Sequence, residues 1–190
     1  MSSAATYSWA DLRLTANLIT LGRIVLSPVL FVLILAASDT AGTSWTALVV
    51  GWVLGASDYY DGYVARTSGS VSGWGAFLDP LADKVLILGA FWCFVAVGRL
   101  FWVPVLIITV RDLLVSIART RWARQGLSLP ARQSAKLKTL MQGVALTVAV
   151  LPPLEDVMWA PSFAIWVAVA ITIYSGWRYF ADGRAGTIAS

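Results

Sequence analysis

Four aspartates carry the chemistry of this chain. Asp58 and Asp61 are spaced i, i+3, and Asp79 and Asp83 are spaced i, i+4. On helices each pair shares one face. Two such helices facing each other bring four carboxylates together, which cannot all stay ionised without cations between them. Hard divalent ions resolve that repulsion, and shared carboxylates can bridge two of them. The chain has no histidine and one cysteine, Cys93, within an apolar run. A Ser-His-Asp triad, a Cys-His pair and a histidine metal site are therefore excluded. Any metal is held mainly by oxygen, which points to Mg²⁺, Mn²⁺ or Ca²⁺. Gly62 and Ala65 follow Asp58 on the same helical face, and Gly75 precedes Asp79 by one turn. Small residues there leave room for a bulky group against the backbone. A plainer reading makes Asp79 a helix cap before Pro80, with the third helix starting near Asp79, and Asp112 a simple ion pair with Arg111. It accounts for one or two of these carboxylates and poorly for four.

The elements that position them are helices in a membrane. Of 190 residues, 58% are hydrophobic and 13% charged, against about 25% charged in a soluble domain. Mean hydropathy is +0.75. Ten Trp, six Tyr and seven Phe suit a chain that crosses two membrane interfaces. Six apolar blocks occur, at 18–37, 45–57, 85–97, 101–110 with its continuation 113–118, 140–154 and 159–177. Strand-like alternation is absent, and helices satisfy their own backbone in lipid. The expected fold is all-α and polytopic: six transmembrane helices in one domain over residues 1–190. A short amphipathic helix, Tyr7 to Leu14, precedes them along the interface. Arg23 interrupts the first block, which is therefore read as a retained span rather than a cleaved signal peptide.

Every basic residue except Arg99 falls on one side of these spans. By the positive-inside rule that side is cytoplasmic, and both termini lie there. The polar residues within the spans gather at the same level: Arg23, Asp58, Asp61, Asp79, Asp83, Lys84, Arg111, Asp112, Arg119, Lys136, Lys138, Gln142, Tyr174 and Arg178. Ionisable groups at membrane depth face a cavity or one another. A hydrated chamber open to the cytoplasm follows. The net charge of +4 is too modest to suggest a nucleic-acid partner.

The run from Asp58 to Asp83 reads D-x₂-D-G-x₂-A-R-x₈-G-x₃-D-x₃-D. It resembles the signature of the CDP-alcohol phosphotransferases, integral membrane enzymes of phospholipid synthesis. The opening Asn17-Leu18-Ile19-Thr20-Leu21-Gly22-Arg23 with Pro28 is similar as well. The resemblance implies that Asp58, Asp61, Asp79 and Asp83 hold metal, most simply two Mg²⁺ or Mn²⁺ ions, with Asp83 also the general base. It implies a cytidine nucleotide site formed by Asp58, Gly62, Ala65, Arg66 and Gly75. It also implies a homodimer in a bacterial inner membrane. In the implied reaction an alcohol oxygen displaces CMP from a CDP-linked donor. Such transfer depends on positioning and charge neutralisation more than on covalent help.

The acceptor is read from a second region. Arg111 interrupts an apolar run, Arg119 lies near the same helical face, and Lys136 and Lys138 start the next span; Arg23 joins them. Several cations around one polar cavity suit an anionic acceptor. The block from Arg111 to Gln142 resembles the bacterial phosphatidylglycerophosphate synthases, which join CDP-diacylglycerol to sn-glycerol 3-phosphate. Asp112 stands where that group usually has Glu, and Ala135 where it has Gly. Inositol phosphate and phosphatidylglycerol are the alternative acceptors. A small transporter is the alternative of another class, but it requires polar residues at the midplane or through the full depth.

Overall fold

The computed structural model describes the backbone of residues 15–67, 73–124 and 133–188, and the side chains of 19–57, 80–122 and 136–181. The expected amphipathic helix at Tyr7 to Leu14 lies outside the described residues. So do the side chains of Asp58, Asp61, Gly62, Ala65, Arg66, Gly75 and Asp79.

Among the described residues the chain is all-helical, with no strand. Six α-helices follow in order: α1 (Thr15–Ala36), α2 (Trp45–Thr67), α3 (Gly73–Ala96), α4 (Trp102–Arg124), α5 (Gln133–Val150) and α6 (Trp159–Ile188). Short 3₁₀ turns at Ser38–Thr40 and Pro152–Leu154 help to close two of the connections. Each apolar block seeds one helix, but five of the six helices run well past their block at the polar end. Thus α2 continues beyond Ser57 to Thr67, and α5 begins at Gln133 rather than Leu140. Helical hydrogen bonding is made by the backbone and does not require the side chains to be apolar.

One expectation is corrected. Asp79 does not cap α3, which begins at Gly73 and carries Pro80 inside it. Proline in a helix removes one backbone donor and strains the preceding turn. Helix α1 carries Pro28 in the same way, so this bundle accommodates both losses.

Helix α1 packs between α2 and α3, and α6 packs on α5 and α4; α3 joins the two groups through α4 and α5. Phe91, Phe94, Ile34, Val105, Ile108 and Ile165 form the buried centre. Gly89 permits the closest approach. A Cβ there would stand 2.3 Å from the Phe31 ring of α1, so any side chain would force that ring or one of the two helices to shift.

Arg99 explains the one exception to the charge asymmetry. It is buried in the α3–α4 turn. It donates to the carbonyls of Ala149 at 3.2 Å and Glu155 at 2.5 Å, to that of Leu154, and to Met158 Sδ at 3.3 Å. It thereby supplies donors to carbonyls at and beyond the end of α5; that of Leu154 also accepts from the Val157 N–H at 3.0 Å. Burial pushes its pKa below the ordinary arginine value, and Glu155 and Asp156 oppose that shift.

The outer surface is apolar. Val25, Val32, Trp52, Val53, Trp159, Phe163 and Trp177 are all more than 60% exposed, a surface suited to lipid rather than water. Helices α1 and α6 contain stretches long and apolar enough to cross a membrane, Ile19–Ala36 and Trp159–Ala181; the apolar part of α2 is shorter, Trp45–Ser57. In α3, α4 and α5 charged residues interrupt the apolar run toward the polar end. This is a membrane protein.

Candidate active site

All six helices line one cavity of about 1000 Å³. Its polar end holds Arg23 of α1, Asp83 and Lys84 of α3, Arg111, Asp112 and Arg119 of α4, and Lys136 and Lys138 of α5. Its other end is walled by Leu30, Ile34, Ala47, Phe94 and Val150. Trp52 of α2 donates its indole N–H to Thr147 Oγ1 of α5 at 3.2 Å across the wall between them. One space therefore offers a charged compartment and an apolar limb.

The five cations expected to meet do so. Arg23 is buried, and its Nε donates to Ser57 Oγ at 3.2 Å. Ser57 is the residue before Asp58, so Arg23 ties α1 to the start of the aspartate run. Arg119 and Lys136 are exposed at the mouth. Arg111 and Lys138 are held more firmly. Arg111 Nη1 donates to Asp112 Oδ1 at 3.0 Å and Nη2 to Ser175 Oγ at 2.6 Å. Lys138 Nζ donates to Asp112 Oδ2 at 2.6 Å, and Gln142 Nε2 donates to the same oxygen at 3.3 Å.

Asp112 is thus more than the partner of its neighbour. Its buried carboxylate joins α4 to α5. The sequence signal for this role is a charged pair inside an apolar run, but neither Lys138 nor Gln142 can be assigned to it from spacing. Ser175 and Tyr179 of α6 also line the cavity and were not among the expected site residues. Gly176 belongs to the same arrangement: a Cβ there would lie 2.7 Å from Arg111 Nε and 3.3 Å from its Cγ. The guanidinium therefore rests on the bare backbone of α6, and Arg111 Nε is buried with no hydrogen-bond partner among the described residues. Tyr174 and Arg178 do not line the cavity. They pair with each other, at 3.4 Å from Arg178 Nη1 to the Tyr174 hydroxyl.

Asp83 is half-buried and lines the polar end beside these cations. The backbone of α2 is helical through Asp58 and Asp61, and that of α3 through Asp79 and Asp83. The i, i+3 and i, i+4 spacings are thereby realised on continuous helices. An all-oxygen donor set of this kind fits Mg²⁺ or Mn²⁺. A carboxylate at this position can accept a proton from a bound hydroxyl.

A family model described as CDP-alcohol phosphatidyltransferase matches residues 13–174. A probable phosphatidylglycerophosphate synthase of Mycobacterium tuberculosis is 38% identical over 171 residues, covering 87% of this chain and 79% of that protein. The CDP-diacylglycerol–glycerol-3-phosphate 3-phosphatidyltransferase of Bacillus subtilis is 34% identical over 182 residues, covering 86% of this chain and 92% of its own length. The enzyme of that same name from Escherichia coli is 32% identical over 173 residues, with coverages of 89% and 94%. The family match begins ahead of α1 and runs into α6, through the helices that wall the cavity, and on that ground this chain is an enzyme of the CDP-alcohol phosphatidyltransferase family.

Proposed function

We propose that the enzyme transfers a phosphatidyl group from CDP-diacylglycerol to sn-glycerol 3-phosphate, forming phosphatidylglycerophosphate and releasing CMP. The observation that carries this reading is the convergence of Arg111, Arg119, Lys136 and Lys138 on the cavity that also holds Asp83 and an apolar limb. A dianionic polyol phosphate needs several charge-assisted donors. A diacyl donor needs apolar wall next to them. The names of the Bacillus subtilis and Escherichia coli relatives point to the same pair of substrates.

In this reading the donor's acyl chains lie against the apolar limb and its diphosphate sits at the polar end. The cations at the polar end orient the acceptor by its phosphate. Its hydroxyl oxygen attacks the phosphorus that bears the diacylglycerol. The hydroxyl proton passes to the Asp83 carboxylate, the diphosphate linkage breaks, and the electron pair leaves on CMP. Asp58, Asp61 and Asp79, with Asp83, would hold Mg²⁺ or Mn²⁺. Bound there, such ions supply neutralisation of the diphosphate charge. The nucleotide would rest against Gly62, Ala65, Arg66 and Gly75.

We also read all six helices as spans of a bacterial inner membrane, with both termini and the polar mouth on the cytoplasmic side. The supports are the apolar outer surface and the one-sided basic residues. A carrier would need a polar route through the bundle, whereas the cavity lining away from the mouth is apolar. The test is CMP release by purified protein from CDP-diacylglycerol with Mg²⁺ or Mn²⁺, screened over glycerol 3-phosphate, inositol phosphate and phosphatidylglycerol. Turnover with inositol phosphate alone would overturn the acceptor assignment.

A further inference from the structure

We propose that Asp112 is a positioning residue, holding Arg111 of α4 and Lys138 of α5 as one paired unit that receives the acceptor's phosphate. The inference rests on the glycerol-phosphate reading above. Asp112 is 5% exposed. Its two oxygens accept from Arg111 Nη1 at 3.0 Å, Lys138 Nζ at 2.6 Å and Gln142 Nε2 at 3.3 Å. The buried Ser175 of α6 accepts from the other end of the Arg111 guanidinium. Three helices are thus joined through one carboxylate and the arginine beside it.

A cluster serving stability alone would close on itself. This one does not, since Arg111, Asp112, Lys138 and Ser175 all line the cavity. An ammonium carries three donors and a guanidinium five, so donors remain for an anion. Two cations share one carboxylate, which leaves positive charge over for the cavity. Without the carboxylate the two cations would repel and take other rotamers.

Two effects of removing that negative charge have opposite signs. Simple Coulomb attraction says that Asp112→Asn makes the pocket more positive and tightens phosphate binding. Positioning says that the cations lose their shared anchor and phosphate binding weakens. The sign of the change in acceptor KM decides between them.

The experiment measures both KM values by CMP release from CDP-diacylglycerol and glycerol 3-phosphate, with protein folding followed by thermal melting in detergent. In D112N the acceptor KM should rise roughly tenfold to a hundredfold, as for loss of one charge-assisted contact. The KM for CDP-diacylglycerol should stay within about twofold. D112E, which keeps the charge, should recover most of the acceptor affinity. An acceptor KM unchanged or lowered in folded D112N would overturn the proposal. So would an equal rise for both substrates, or D112E as damaged as D112N, because general loosening of α4 predicts either. If D112N does not fold, Gln142→Leu removes one donor to the same carboxylate without changing charge. A folded Q142L with wild-type acceptor KM overturns the proposal, and a raised one with unchanged donor KM supports it. Wild-type protein that releases no CMP with glycerol 3-phosphate refutes the acceptor reading and this proposal together, an outcome visible before any variant is made.

Discussion

Gly176→Ala adds one methyl group on α6, against the Arg111 side chain of α4. The new Cβ would stand 2.7 Å from Arg111 Nε and 3.3 Å from its Cγ. A relaxed carbon contact is roughly 3.5–4.0 Å, so the middle of the Arg111 side chain must move by close to an ångström. It cannot swing freely, because Asp112 and Ser175 hold both ends of the guanidinium. One of those bonds stretches, or α6 moves away from α4. If Arg111 binds the acceptor's phosphate, loss of one well-placed charged bond costs about 1.5–3 kcal/mol. That is about ten- to a hundredfold in acceptor KM. Overpacking itself should lower stability by about 1–3 kcal/mol. Initial-rate measurement of CMP release against glycerol 3-phosphate reads the first effect, and thermal melting in detergent reads the second. Gly176→Ala with a wild-type melting curve and wild-type acceptor KM would refute the claim that the bare α6 backbone sets the arginine's position.

Three further outcomes are expected. Asp83→Asn should cut kcat by roughly 10²–10⁴-fold, the loss typical of a missing general base; a nucleotide affinity that collapses equally would make Asp83 chiefly a metal ligand. Excess EDTA should abolish CMP release, and Mg²⁺ or Mn²⁺ should restore it; full activity in EDTA, or turnover by Asp61→Asn, would remove the metal proposal. Arg99→Met should destabilise the fold by about 1–3 kcal/mol for each buried carbonyl left without a donor, read as a lowered melting temperature, while both KM values hold because Arg99 lies outside the cavity.

Local spacing and distant pairing differ in how far a sequence reveals them. The aspartate run is local. A helix of 3.6 residues per turn fixes which residues share a face, so the Asp58 to Asp83 pattern could be read as paired carboxylates before any coordinates. The collection of Arg23, Arg111, Arg119, Lys136 and Lys138 at one level was legible for a related reason, because charge is tolerated only at one depth of each apolar helix. Helix ends were less legible. Apolar runs stop where charges begin, but α2 and α5 continue beyond them, α5 along the polar end of the cavity. The start of α3 is hard to read because Pro80 resembles a first-turn residue, whereas the helix begins at Gly73.

By itself the sequence determined six helices, a polar end, a carboxylate motif and the set of cations that meet there. Only the tertiary structure decided which cation answers to which anion. Asp112 meets Lys138 and Gln142, 26 and 30 residues away, and Arg111 meets Ser175, 64 residues away. Arg99 reaches carbonyls 50 to 56 residues away. These pairings depend on the rotation and offset of helices packed against one another. That arrangement is set by ridges, grooves and close approaches such as Gly89 on Phe31 and Gly176 on Arg111, which are properties of the assembled bundle and of no single helix.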